Sequence, residues 1–496
     1  MMEKHMTTYK ETQKTIRAYK YALWLISWDQ ETEMPKKALD YRTEQIAVLT
    51  ERLYEVESNP DYIQAVEKLY EQIDKLDESF AIEIKKMNKS LEIIRKVPKK
   101  ELLDYQILQA VSASHWAHAK ETNDFSVFQR SLEKIVDFNR KLTEYLKTDE
   151  LKGYDVLLDM YEEGFTTKEY DHFFNKLKEE LVPFVLSATK QKLKISRKLA
   201  KGYFDPIKQK EFSEYLTEVF HFDQERGVLK ESIHPFTSNV SSSDVRITTA
   251  YKTDILESSI FSTLHELGHA IYEQQVDPKY DGTILGGGAS LGIHESQSRM
   301  YENMIGRSYA FWEVHYPKLQ EIFKKELKNI SLLEFYQYIN ISKRSLIRTE
   351  ADELTYPLHI MVRYEIEKEL INGKLKVKDL PRRWRQLMAE YVGIRPKTDT
   401  EGVLQDIHWS LGNIGYFPTY ALGSAYAAQI YHAMNSEINV ESAIENNHIN
   451  LINEWLKEKI HQYGASKTPR EILINTTKMD FDPSFYIEYL KRKFSY

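Results

Sequence analysis

No glycine occurs before Gly153, and only Pro35, Pro60 and Pro98 interrupt the first 150 residues. A stretch of that length, without residues that take up left-handed backbone or break an amide ladder, favours long helices. Apolar residues recur at helical spacing over residues 41–56 and 102–146, so about the first 150 residues are predicted to form a helical lobe. The whole chain shares this scarcity of breakers: 18 Gly and 14 Pro in 496 residues are roughly half the usual share.

Residues 167–222 continue the helical pattern with many charges, and the lysine-rich run 190–201 reads as a solvated face. Composition then changes. Seven of the 18 glycines fall between Gly268 and Gly306, and residues 237–249 are rich in Ser, Thr and Val. β-Branched alternation over 244–251 predicts a short strand. Asp254 followed by Glu257 predicts a capping box that opens a helix leading into His265. Helical patterning resumes after Gly306, with breaks near 393–400 and 412–418. No repeat or low-complexity linker divides the chain, so a single domain over 1–496 is expected, with the helical lobe at about 1–150 and an active-site core at about 230–425.

Hydrophobic residues make up 42% of the chain, too much for a disordered one, and a net charge of −7 offers no basic surface for nucleic acid. Cysteine is absent, so any metal must be held by His, Asp or Glu, in keeping with a cytoplasmic protein. The first ten residues are polar, and the apolar stretch 22–28 is far shorter than the ~20 residues that span a bilayer. Neither secretion nor membrane insertion is expected.

His265-Glu266-Leu267-Gly268-His269 matches H-E-x-x-H on a predicted helix, which sets both histidines on one face, able to reach one zinc ion. A catalytic zinc needs a third protein ligand and an open position. Glu295, at the head of a helix predicted over 295–305, is the preferred third ligand, with His294 and Glu302 as candidates. Glu302 could ligate, orient a histidine from behind, or sit in a solvated salt bridge. Water activated by the metal, with Glu266 moving its proton, suits hydrolysis of an amide. The oxyanion that develops needs donors, and His234, His408, Tyr416 and Tyr420 lie in segments with loop signals.

Beyond that helix, the chain carries His234-Pro-Phe236, Asp244-x-Arg246-x-Thr248, His294-Glu-Ser-Gln297, Ile347-Arg-Thr-Glu-Ala-Asp352 and Gly402-x-x-Gln405-Asp406-x-His408-Trp409. In content and order these resemble the carboxypeptidase Taq family of zinc metallocarboxypeptidases. Trp28-Asp-x-x-Thr32-x-Met34-Pro35 with Arg42, and Gly415-Tyr-Phe-Pro-Thr-Tyr-Ala-Leu-Gly423, extend the likeness over nearly the whole chain.

The resemblance implies a mainly α, two-lobed body of long helices with a small β-sheet beside a deep groove, similar in architecture to neurolysin and angiotensin-converting enzyme, and usually a homodimer. It implies one zinc per chain, replaceable by cobalt, held by His265, His269 and Glu295, with Glu266 as general base and then acid. His408 and Tyr420 are implied to stabilise the transition state, and His234 to add a substrate contact. Recognition of a terminal carboxylate suits a bidentate arginine. Arg348 is preferred for that clamp, while Arg246 with Asp244 would brace the strand beside the substrate backbone. The alternative for Arg348 is an ion pair with Asp352, four residues on.

The resulting expectation is a cytoplasmic zinc carboxypeptidase of broad specificity, with proline disfavoured, acting on peptides with a free C-terminus. The rivals are an oligopeptidase that cuts internal bonds, and a non-catalytic helical scaffold whose metal is closed by a fourth ligand such as His294 or Glu302.

Overall fold

The first helix, α1 (Met2–Thr32), runs for 31 residues, and three more complete an N-terminal lobe: α2 (Leu39–Glu57), α3 (Pro60–Tyr70) and α4 (Glu78–Ser90). Asn59 and Asp77 cap α3 and α4 by accepting from the backbone N–H groups of Asp61 and Phe80. The expected helical run 102–146 is broken into α5 (Lys99–Thr122) and α6 (Phe125–Leu146). Asn123 adopts a left-handed φ of 53° that closes α5, and the Asp124 carboxylate then caps α6 through the Ser126 N–H. Asn tolerates that conformation better than other non-glycine residues, so the break needs no glycine.

The computed structural model describes residues 2–188, 199 and 202–495. The lysine-rich run 190–201, apart from Leu199, lies outside the described residues. The body is mainly helical, with one three-stranded sheet. Its strands are β1 (Gly227–Glu231), β2 (Thr237–Ser241) and β3 (Asp244–Thr249), in the order β1-β3-β2, with β1 parallel and β2 antiparallel to β3. Val245 and Ile247 of β3 are fully buried, which anchors the sheet to the body and leaves β2 at the edge.

Helix α7 (Leu256–Gln275) follows. The predicted capping box does not form: Ile255 is the N-cap, and Glu257 instead accepts a 2.7 Å hydrogen bond from the Tyr338 hydroxyl. Helix α8 (Leu291–Arg299) starts four residues before the predicted 295, because Ser290 caps it through the Ile293 N–H, and it continues as a π-helical turn, Met300–Ile305. Gly268 explains how α7 and α8 cross so closely, since a Cβ there would lie 2.6 Å from the Gln297 carbonyl oxygen. Helices α9 (Tyr356–Ile371) and α10 (Pro418–Glu437) complete the surroundings of the site. A Cβ at Gly423 of α10 would stand 2.6 Å from Cβ of Glu295, so this helix also passes against α8.

Two hydrophobic interiors result. The larger extends from Val97 to Phe494, and the smaller belongs to the N-terminal lobe, with Tyr9, Ile16, Tyr62, Val66, Leu69, Phe80, Ile84 and Leu91. Near residues 82–93 the lobe is tied on by apolar packing, through Ile82 and Ile93. Along α1 it is tied by hydrogen bonds from Arg17 to the Gly282 carbonyl (2.6 Å) and from the Trp24 indole to Ser238 (2.6 Å), and by Trp28 packing edge-on to Phe236 at 5.7 Å. A cavity of about 970 Å³ lies between α1, α4, the edge strand β2 and the loop 281–287. Among the described residues no helix is long and apolar enough to cross a membrane.

Candidate metal centre

His265 and His269 project from the same face of α7, their ring centroids 4.9 Å apart. Nε2 of His265 lies 3.7 Å, and Nε2 of His269 3.6 Å, from the same oxygen of Glu295, Oε2, on α8. One ligand atom from each residue falls within 4.8 Å of the others. A four-coordinate cation with bonds of about 2.0–2.2 Å holds its ligand atoms about 3.3–3.6 Å apart, so this donor set fits one divalent metal.

Every other polar atom of the three ligands is engaged from behind. His265 Nδ1 lies 3.0 Å from Glu302, and His269 Nδ1 lies 2.5 Å from Nδ1 of His294, whose Nε2 is 2.6 Å from Glu273. Glu295 Oε1, the oxygen turned away from the histidines, accepts from Arg299 at 2.7 Å. His294 and Glu302, both candidate ligands from the sequence, therefore stand behind the histidines and fix which ring nitrogen faces the metal. Glu302 is no solvated surface acid. Burial alone would raise its pKa, but the hydrogen bond from His265 and the charges of Arg299 and Arg307 hold it well below the usual carboxylate range. Burial, with His294 and His265 as neighbours, keeps His269 neutral, as a ligand must be.

Glu266 is 6% exposed and accepts from the Thr237 hydroxyl of β2 at 2.6 Å. Burial pushes its carboxyl up, against the pull of His265 and Thr237.

A second cluster forms around Arg348, in a 3₁₀ turn Arg348–Glu350. Its Nε and Nη2 both donate to Oδ1 of Asp406 (3.0 and 2.9 Å), and Nη1 donates to the Tyr356 hydroxyl (3.0 Å). The alternative pairing with Asp352 does not form. That carboxylate is filled by Ser342 and by the backbone N–H groups of Lys343, Leu354 and Thr355. Oδ2 of Asp406 is held by Arg363, at 2.8 and 2.5 Å.

Tyr420, in the first turn of α10, presents its ring 5.2 Å from the Arg348 guanidinium, and its hydroxyl lies 3.4 Å from Nε2 of His408. Burial, then the Arg348 charge, lowers the His408 pKa to about 4. Its Nδ1 has no hydrogen-bond partner among the described residues. Tyr416 packs edge-on to Tyr420 at 5.3 Å. Because Gly423 abuts Glu295 one turn along α10, the Arg348 cluster and the metal ligands share one neighbourhood.

Arg246 and His234 are placed differently. The Arg246 guanidinium makes a bidentate pair with Asp244 (2.7 and 2.8 Å) and lies 4.5 Å from the Trp24 ring. His234 is exposed in the turn between β1 and β2.

Sequence reasoning missed Thr237, Glu273, Arg299, Tyr356 and Arg363. Arg299 had a usable signal, four residues after Glu295 on a helix, whereas Thr237, Glu273 and Arg363 meet their partners 29, 21 and 43 residues away, and Tyr356 reaches Arg348 from a different element. Glu367 of α9 was also missed. It is fully buried and accepts from Trp409 Nε1 (2.7 Å), the Gly415 N–H (2.8 Å) and the Tyr154 hydroxyl (2.6 Å), which supports the loop between His408 and Tyr416.

A long-helix body around an H-E-x-x-H pair and a glutamate from a neighbouring helix defines a helical metallopeptidase. The chain belongs to the Carboxypeptidase Taq (M32) metallopeptidase family, whose profile matches residues 8–494. It is 41% identical to carboxypeptidase 1 of Bacillus subtilis, over 97% of this chain and 96% of that one. Thermostable carboxypeptidase 1 of Pyrococcus furiosus is 36% identical over 98% of both. The crystal structure of a carboxypeptidase from Deinococcus radiodurans superposes with a TM-score of 0.94 at 31% identity, covering 99% of each chain. The protein is a metallocarboxypeptidase, a peptide hydrolase.

Proposed function

We propose that the protein removes amino acids one at a time from the free C-termini of peptides, with zinc as its working metal. The observation that carries this reading is the placement of Arg348 beside Tyr420, one turn of α10 from the metal ligand Glu295. Three of the five guanidinium N–H groups are engaged, leaving one on each terminal nitrogen, the fork that accepts a carboxylate.

His265, His269 and Glu295 hold the metal, and two imidazoles with one carboxylate suit zinc with an open fourth position. When bound, the metal supplies Lewis acidity to the scissile carbonyl and to water. Glu266 takes the proton of the attacking water and delivers it to the departing amine, its carboxylate aimed by Thr237. Burial keeps the Tyr420 phenol protonated, so it donates to the developing oxyanion together with His408. Arg246 braces β3 beside the substrate, and His234 adds a contact at the sheet turn.

The family resemblance supports broad choice of the last residue, with proline disfavoured. The chain acts as one catalytic domain over 1–496, in the cytoplasm, in keeping with its lack of cysteine. A second copy covers the apolar stripe of α5, where Leu103, Ile107 and Val111 are 41%, 65% and 45% exposed.

The test is a mass-spectrometric time course on one peptide carrying either a free or an amidated C-terminus. Stepwise loss of single residues from the free form alone is expected. Internal cleavage of both forms would make the protein an oligopeptidase.

A further inference from the structure

We propose that Tyr356 is a spacer between the metal ligands and the Arg348 clamp, and that it sets how many residues leave per turnover. The inference rests on the reading of Arg348 given above.

Tyr356 opens α9 and is 8% exposed. One face of its ring lies 4.7 Å from the guanidinium of Arg299, the residue that holds Glu295. Its hydroxyl accepts from Arg348 at 3.0 Å. Its ring meets Tyr420 edge-on, with centroids 6.4 Å apart. One stiff side chain, with two rotatable bonds, therefore touches the partner of a metal ligand, the clamp and the oxyanion donor.

Arg348 needs such a tie. Both of its bonds to Asp406 end on the same oxygen, Oδ1, while Arg363 occupies Oδ2. Two N–H groups converging on one oxygen make a pivot, about which the guanidinium can turn. The Tyr356 hydroxyl is the second fixed point, and it fixes the orientation of the free fork relative to Glu295.

Register follows from this distance. In a one-residue product the new amine and the terminal carboxylate belong to the same residue. A dipeptide product places the carboxylate about 3.3–3.6 Å further from the cleaved bond. A clamp that turns by that amount accepts the longer product, so an anchored clamp releases single residues.

Tyr356→Phe removes the hydroxyl and keeps the ring beneath Arg299. Three measurements are made: peptide binding by the metal-free protein, metal retention against a chelator, and the products released by the zinc-loaded enzyme. Affinity of the metal-free protein for a free-acid peptide is expected to fall about tenfold, the scale of one hydrogen bond to a charged group. Binding of the amidated peptide and metal retention should stay at wild-type values, and dipeptides should appear among the products. Tyr356→Leu, which also removes the ring from Arg299, should in addition release metal more readily.

Arg348→Ala separates the two claims. If it keeps the wild-type preference for free-acid peptide, the clamp reading falls, and the spacer with it. If it loses that preference while Tyr356→Phe keeps it and still releases only single residues, the spacer alone is overturned. Metal loss in Tyr356→Phe would likewise overturn it, since the hydroxyl would then act through Glu295.

Discussion

The Thr237 hydroxyl donates to the Glu266 carboxylate at 2.6 Å, joining the edge strand of the sheet to the helix that carries both histidines. The proposed general base is thus held by the sheet as well as by its own helix. Glu266→Gln should keep metal bound yet lose about 10²–10⁴-fold in kcat, the usual worth of general acid–base catalysis. Thr237→Val should cost about tenfold in kcat through misaimed proton transfer. Initial rates beside metal analysis check both, and normal turnover in Glu266→Gln would remove the glutamate from the mechanism.

Arg348→Ala should lower kcat/KM for a free-acid peptide by about 10²-fold, the scale of a desolvated charge pair. The amidated peptide should stay at its background rate in both proteins. Arg348→Lys should recover only part of the loss, because an ammonium lacks the planar fork. Steady-state kinetics on the two peptides give the ratio directly.

His294→Phe keeps a ring behind His269 but deletes both of its hydrogen bonds. Loss of such an outer partner should weaken metal binding about 10–100-fold. Chelator competition reads the change, and an unaltered circular dichroism spectrum would show that the fold survives.

Glu367 ties its pH dependence to stability. Burial raises its pKa to about 7, against hydrogen bonds from Tyr154, Trp409 and Gly415 and the charge of Arg363. A carboxyl whose folded pKa lies above its unfolded value binds its proton more tightly when folded. Its contribution is therefore fully present below about pH 4.5 and is lost as the pH rises through about 7. Glu367→Gln should melt lower than wild type in acid, where it lacks an acceptor for Trp409. The gap should narrow as the pH rises from 5 to 8. A melting-temperature difference that stays constant over that range would exclude the effect.

Ile107→Glu places a charge in the centre of the exposed stripe on α5. Light scattering after gel filtration should show the wild type as a dimer and the variant as a monomer with little change in melting temperature. Equal masses would move the dimer contact elsewhere.

Local rules made much of this architecture readable. Scarce glycine and proline foretold the helices, and β-branched alternation found β3. They failed where a distant partner outcompeted a neighbour, as when Tyr338 drew Glu257 away from its own helix start. They also failed where one small polar residue turned the chain, as Asn123 does. The spacing of His265 and His269 needed only the period of a helix to be legible. The crossing that brings Glu295 beside them depends on missing side chains at Gly268 and Gly423, which a sequence shows only as two glycines inside helices. The partners of Arg348 were out of reach, since Asp406 is 58 residues away in the chain.

The two separate hydrophobic interiors give the molecule two kinds of joint. Near Ile82 and Ile93 the N-terminal lobe is bonded by oil-like contacts, which salt strengthens. It is also held by ion pairs, Lys89 with Asp159 at 2.8 Å between those two residues and Glu33 with Lys230 of β1 at 2.7 Å, which salt screens. Ionic strength therefore weakens the charged ties of the lobe and not its apolar ones, like loosening a latch while leaving the hinge pin in place. The metal ligands, all on the body side, feel none of it directly. Added salt should alter how the lobe seats on the body before it alters the chemistry at the metal site.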